Sequence, residues 1–392
     1  MLADVGLSCR SSDKARAVNT AVSLVCRAAF VLISVLVLTM VSCASPSTPV
    51  IALETPAAGR YEYSRLCMGV KATITLYASS EDQARAAASL AFARLAELDA
   101  LMSDYRIDGP VAAINRSAGG PPTLVAAELG AITRQALAIS ERTGGAFDIT
   151  SGPAVSLWRK SRATLELPSP QAVSLARGLI GWRRVNVVTA ASGSPDSETS
   201  ASIGLIAPGV TIDFGAIGKG YAAQEALKLL RLQGCPRAYV ALGGDIAVGE
   251  SPPGAAGWKI DVSSGSGSLP VGTLVVSNAC ISTSGGSEQY VEIGGRQISH
   301  IIDPRTGEGL PPGGSVTLVA SDGAEADALA TAACVLLNSS SDCEVLTSIL
   351  PADAAAIYVS GAGELIFSVR LVGKTARRDL RWVPRTISGD CR

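Results

Sequence analysis

Three short stretches of this 392-residue chain combine residue types that can do chemistry. The first is Val210-Thr211-Ile212-Asp213-Phe214-Gly215-Ala216-Ile217-Gly218-Lys219-Gly220-Tyr221, a β-branched run entering a glycine-rich turn and then an Ala/Leu-rich helix. Glycines let the backbone approach a ligand, and free N–H groups at a helix start favour anions, a pyrophosphate above all; Lys219 adds a point charge. The pattern is neither Walker A nor Gly-x-Gly-x-x-Gly, and it reads equally as a tight strand-to-helix turn with a solvated lysine. The second stretch is Glu325-Ala326-Asp327-Ala328-Leu329-Ala330-Thr331. On a helix its i, i+4 spacing puts the Asp327 carboxylate and the Thr331 hydroxyl on one face. Such oxygen donors suit hard Mg²⁺ rather than zinc, although both residues are also ordinary helix decoration. The third, Ser299-His300-Ile301-Ile302-Asp303-Pro304-Arg305-Thr306-Gly307, holds the sole histidine just before a Pro/Gly turn. There His300 could serve as a general base near neutral pH, or be structural.

Two further stretches, Met102-Ser103-Asp104-Tyr105-Arg106 and Gly144-Gly145-Ala146-Phe147-Asp148-Ile149-Thr150, set an aromatic ring beside polar groups. Each ring could stack on a flat heterocycle or simply fill the core. Composition narrows the classes. With Lys plus Arg at 33 against Asp plus Glu at 34, no basic excess exists to grip nucleic acid. A single histidine excludes sites needing two or three His ligands. Nine cysteines without a Cys-x-x-Cys pair argue against a zinc ribbon or thioredoxin-like site, and any disulfide pairing is unreadable.

The elements that must position these residues are legible in part. Tyr61–Tyr77 alternates as a strand pair, and Glu81–Met102 repeats apolar residues at helical spacing. Further helices are expected at Ala126–Thr143, Tyr221–Gln233 and Ala326–Leu337. Strands are expected at Val185–Val188, Val210–Phe214, Ala238–Leu242, Val271–Val276, Ser315–Val319 and Ala355–Val359, with exposed loops at Ala191–Ser202 and Ser263–Ser268. The fold class is α+β, with mixed, largely antiparallel sheets, packed helices and a single large domain over residues 60–371, followed by a tail at 372–392.

The N-terminus reads separately. Arg10, Lys14, Arg16 and Arg27 precede an apolar run from Ala28 to Val41, then Ser42 and Cys43. This is the layout of a bacterial lipoprotein signal over residues 1–42. A lipid on Cys43 would anchor an exported protein to the cell membrane, facing the periplasm or cell exterior, through a flexible tether at 43–59. The other reading of the segment is an uncleaved anchor.

Taken together and in this order, the segments resemble the ApbE-type flavin transferases, FAD:protein FMN transferases. The resemblance runs from Met68-Gly69 through the stretches above, with Gly243-Gly244-Asp245 and Thr283-Ser284-Gly285, and covers most of residues 60–370. It implies an ApbE-like domain that binds FAD, cleaves its pyrophosphate, attaches FMN to a Ser or Thr hydroxyl of an acceptor protein and releases AMP. It also implies roles. Met68, Tyr105, Ala146, Phe147, Asp148, Asp213, Lys219 and Ile302 match FAD-contacting positions. Asp327, Thr331 and the Ala216 carbonyl match Mg²⁺ ligands, and His300 matches the base that takes the acceptor's hydroxyl proton. Lipid-anchored members of the family agree with Cys43. Departures are Ala330, where some members carry a further Asp; Gln224, where Asp is frequent; and Gly109-Pro110-Val111. An FAD pyrophosphatase and a non-catalytic FAD-binding lipoprotein are the competing readings.

Overall fold

The alternating run from Tyr61 to Tyr77 folds as an antiparallel hairpin, β1 (Gly59–Cys67) and β2 (Val70–Ala78), with Cys67 opposite Val70 across a two-residue turn. Both turn residues have positive φ, Met68 at 50° and Gly69 at 73°. That sign at both positions matches the twist of the flanking strands. The computed structural model describes residues 58–189, 200–263, 270–286, 290–339, 344–360, 365–369 and 380–384. The signal segment, Cys43 and the tether up to residue 57 lie outside them.

The hairpin forms one end of an eight-stranded sheet. Its order is β1, β2, β6 (Ala238–Leu242), β7 (Asp245–Val248), β10 (Ala279–Gly285), β15 (Ser315–Ala320), β16 (Ala355–Val359) and β17 (Leu365–Val369). Every neighbouring pair in it is antiparallel. Two three-stranded sheets accompany it: β3 (Thr123–Ala126), β5 (Ser200–Leu205) and β4 (Val185–Thr189), and then β18 (Leu380–Pro384), β9 (Gly272–Val276) and β8 (Trp258–Val262). Two small hairpins are β11 (Tyr290–Ile293) with β12 (Arg296–Ser299), and β13 (Ile302–Asp303) with β14 (Glu308–Gly309). The helices are α1 (Glu81–Met102), α2 (Pro110–Arg116), α3 (Ala127–Arg142), α4 (Gly152–Thr164), α5 (Pro170–Leu179), α6 (Gly218–Leu232), α7 (Gly323–Ser339) and α8 (Glu344–Ile349). This is the expected α+β mixture of antiparallel sheet and packed helix.

The large sheet is covered on both faces, and side-chain alternation decides which residue goes where. Ile74, Leu76, Val240, Val316 and Leu318 face the helical layer, while Ile281, Val319 and Ile357 pack on Trp258, Ile260 and Leu274 of the β8–β9 sheet. β15 is therefore buried at every position. In the helical layer α1 starts on Ser80, whose hydroxyl accepts from the Gln83 N–H, and buries Ala84, Ala87, Ala91, Leu95 and Leu98. α6 and α7 touch at their backbones: a Cβ on Gly220 would stand 2.1 Å from the Gly323 carbonyl oxygen, and one on Gly323 2.2 Å from that of Gly220. Gln224 ties the same two helices, accepting from the Gly323 N–H at 2.9 Å and donating to the Ser321 carbonyl at 3.1 Å.

Several expectations are corrected. Val210–Phe214 forms no strand. Its backbone is satisfied otherwise: the Asn115 side chain accepts from the Ile212 N–H at 2.8 Å and donates to the Ile212 carbonyl at 3.1 Å, and Asp213 N–H donates to the Ile149 carbonyl. Helices α2, α4 and α5 were not foreseen; each has proline in its first turn, where a missing N–H costs nothing. Residues 380–384, within the expected tail, pair with β9. Residues 200–202, placed in a loop, begin β5, and 190–199 lie outside the described residues.

Candidate active site

The backbone crossing of α6 and α7 brings Asp327, one turn into α7, over the first turn of α6. Its Oδ2 accepts from the Gly220 N–H at 3.0 Å. Gly220 is the third residue of the helix, so its N–H is one of the first-turn donors with no partner inside it, and the carboxylate supplies one; the Ala216 carbonyl, just before the helix, accepts no hydrogen bond among the described residues. A carboxylate at a helix N-terminus is favoured by the backbone dipole. Lys219 Nζ stands 2.8 Å from Asp245 Oδ2 and 3.6 Å from Asp327 Oδ2. It is a bridge between two buried acids rather than a solvated lysine. Burial works against its ammonium, but Asp245 and then Asp327 outweigh burial and hold the pKa above the ordinary lysine value. Burial, then repulsion from Asp245, lift the Asp327 carboxyl well above the usual carboxylate range, against Lys219 and the Gly220 N–H.

β7 and β10 complete this cluster. The Gly243-Gly244 turn delivers Asp245 into the sheet interior, where its Oδ1 accepts from Ser282 Oγ at 2.6 Å. Two residues along β10, Ser284 Oγ lies 3.1 Å from Thr331 Oγ1. Asp327 and Thr331 thus share a helix face, as their spacing predicted. The Cys334 thiol, its pKa pushed up to about 12 by burial, donates to the Ser284 carbonyl. His300 is exposed, on a bend where Ser299 Oγ accepts from the Ile301 N–H. The same Ser299 oxygen is 3.3 Å from where a Cβ on Gly286 would be, two residues beyond Ser284. The bend is held through Arg305, which pairs with Asp303 at 2.9 Å and donates to the Val335 carbonyl on α7.

A second group lies around the end of α1. Met102 and Met68 both reach the start of α6: their methyl carbons are 3.5 and 3.7 Å from a Cβ position on Gly218. Tyr105, three residues on, is 72% exposed, and the Arg159 guanidinium carbon sits 4.3 Å from its ring centroid. Arg159 pairs with Asp104 at 2.9 Å and lies 3.8 Å from Asp213. Asp213 also accepts from the Gly215 N–H at 2.6 Å. Its carboxyl is raised by burial and by Asp104, against Gly215 and Arg159.

Other positions singled out in the sequence stand apart. Ala146 and Phe147 lie in the main core, and Ile302 packs with Trp158 and Ile298, which leaves any ligand contact there to backbone atoms. Both Asp148 oxygens are engaged, by the Thr150 N–H and hydroxyl and by the Trp182 N–H, so its side chain braces two loops. Ala330 is wholly buried, and an acid there would meet apolar surroundings. Sequence reasoning gave no role to Asp245 or Arg159. A buried acid opening a strand after Gly-Gly was a usable signal for the first; nothing local marks the second.

The donor set fits a hard divalent cation. Among the described residues no three His, Cys, Asp or Glu side chains gather at one point. Among the described residues Asp327 takes its hydrogen bonds on one oxygen and the Ala216 carbonyl accepts none, while Thr331 and Ser284 add hydroxyls. Oxygen donors of mixed type, completed by ligand oxygens, are what Mg²⁺ accepts.

The chain is similar to known proteins in sequence and in fold. The ApbE family profile matches residues 68–350. A FAD:protein FMN transferase of Treponema pallidum is 31% identical over 76% of this chain and 84% of its own length. One from Salmonella typhimurium is 30% identical over 64% of this chain and 73% of its own. Among solved structures, the ApbE protein of Thermotoga maritima superposes with a TM-score of 0.69 at 26% identity, covering 79% of this chain and 97% of that one. The flavin transferase ApbE of Vibrio cholerae, at 22% identity and a TM-score of 0.65, shares the fold.

Proposed function

The chain belongs to the ApbE family, and from that premise we propose that it is an enzyme transferring FMN from FAD to a Ser or Thr hydroxyl of an acceptor protein. The observation that carries this reading is the meeting of a helix N-terminus, an ammonium paired with two buried acids and an all-oxygen donor set at Lys219, Asp327 and Thr331. The hydroxyl oxygen of the acceptor attacks the phosphorus of the FMN half. A phosphoester forms, the bond to the AMP phosphate breaks, and AMP leaves. In this reading His300 takes the hydroxyl proton, a task its exposed position leaves open to a large protein acceptor. Lys219 offsets charge on the pyrophosphate, while Met68 and Tyr105 border the dinucleotide. Asp327, Thr331 and the Ala216 carbonyl would hold Mg²⁺, which when bound supplies Lewis-acid stabilisation of phosphoryl oxygens.

The same exposure of His300 favours a second reading, in which water replaces the hydroxyl and FAD is cleaved to FMN and AMP. Incubating the full chain with FAD, MgCl₂ and a candidate acceptor separates the two. Covalent flavin fluorescence on the acceptor is expected; FMN and AMP without labelling would leave hydrolysis. Chelation by EDTA and Asp327→Ala should each remove activity, and His300→Ala should lower the rate by roughly 10²–10⁴. Full activity of Asp327→Ala would refute the cation assignment. Export and lipidation at Cys43 complete the proposal; globomycin-sensitive processing and palmitate labelling test them.

A further inference from the structure

Tyr105 presents an unusual situation for a large aromatic side chain: 72% exposed, on the irregular segment between α1 and α2, yet not left to rotate freely. One face is covered by Arg159, reaching over from α4. That guanidinium is itself fixed. Asp104 holds it at 2.9 Å, Asp213 faces it at 3.8 Å, and α4 is locked at its start, where a Cβ on Gly152 would stand 2.4 Å from Thr211 Oγ1. Arg159 therefore links the two chain segments that flank the start of α6, residues 104–105 on one side and residue 213 on the other.

We infer that Arg159 is a positioning residue for the flavin dinucleotide, holding the Tyr105 ring by one face so that the other is presented to a planar ring of the substrate. The inference rests on the reading of FAD as substrate. Two physical effects act together. Ordering the tyrosine before binding removes a conformational cost that the ligand would otherwise bear. A guanidinium over the ring face also brings a delocalised, weakly hydrated planar cation, which an ammonium is not.

The test uses the full chain and compares Arg159→Met, Arg159→Lys, Tyr105→Leu and the Arg159→Met/Tyr105→Leu double variant. FAD affinity is read from flavin fluorescence in EDTA, where no turnover occurs, and KM and kcat from FMN release with MgCl₂. Thermal unfolding checks the fold. Arg159→Met should weaken FAD binding and raise KM by roughly five- to tenfold, with kcat within about twofold. The double variant should bind no worse than Tyr105→Leu alone, because the arginine acts through the ring. Arg159→Lys keeps the pairing to Asp104 but not the flat contact, and should bind FAD as weakly as Arg159→Met. Should Arg159→Met unfold, the lysine variant carries the test. Unchanged affinity in Arg159→Met, multiplying effects in the double variant, or full rescue by lysine would each overturn the inference while leaving the flavin-transfer reading intact. A wild-type protein that neither binds nor cleaves FAD would overturn both.

Discussion

Asp213 shows what a buried carboxyl costs the fold. Its carboxyl is held above the ordinary range, chiefly by burial and then by Asp104. A group whose folded pKa is raised binds its proton more tightly in the folded state, so its ionised form penalises folding at neutral pH, and the penalty fades as pH falls through the folded-state value. Asp213→Asn keeps an acceptor for the Gly215 N–H and removes the charge. It should raise the melting temperature at about pH 7.5, with the gain shrinking towards pH 4, and lower FAD affinity. A gain independent of pH would contradict this. Asp327 and Lys219 belong to the same scale: truncating one member of a buried charge cluster typically costs about 3–5 kcal/mol. Loss of activity at either position therefore has to be read beside a stability measurement.

At the scale of elements, the site depends on how closely two helices approach. Gly220 and Gly323 leave no room for a methyl group on either side. Gly220→Ala should destabilise by about 3 kcal/mol in chemical denaturation and separate Asp327 from the Gly220 N–H, so flavin release should fall in the protein that remains folded. Normal stability in that variant would mean the helices yield. The crossing also explains which parts of the site could be read from sequence. Asp327 and Thr331 share a face because both lie on one helix, and helical spacing is a local property. The partnership of Lys219 with Asp245 is made by a sheet strand, and that of Arg159 with Asp104 spans 55 residues, so neither leaves a local pattern. Helix α1 was legible from its buried alanines. For α5 the signal is local as well: Ser169 caps it by accepting from the Ala172 N–H, with Pro170 at its first position.

At the scale of the described domain, the candidate site and the bracing strands lie on opposite sides of one sheet. Lys219, Asp327 and Thr331 come from helices on one face, while β8 and β9, extended by β18, pack on the other. A chain ending at residue 379 loses the ladder between β18 and β9. It should melt several degrees lower and aggregate more readily through the uncovered β9 edge, with KM for FAD unchanged. A large rise in KM would show that the two faces are coupled. The first hairpin of this sheet was readable from alternation, whereas the strand at 380–384 was not, since its partner is about a hundred residues away.

The stretch before α6 has one more property. It arrives at the site fastened at Ile212 by the two amide hydrogen bonds of Asn115 instead of by a ladder of neighbouring strands. A ladder gives way only when many bonds break together; a single side chain can let go by turning about its own bonds. The approach to this turn is thus latched rather than woven: besides its buried side chains, it is pinned at separate points, by the Asn115 amide at Ile212 and by the Ile149 carbonyl at Asp213, and one point can yield without the neighbouring sheet giving way.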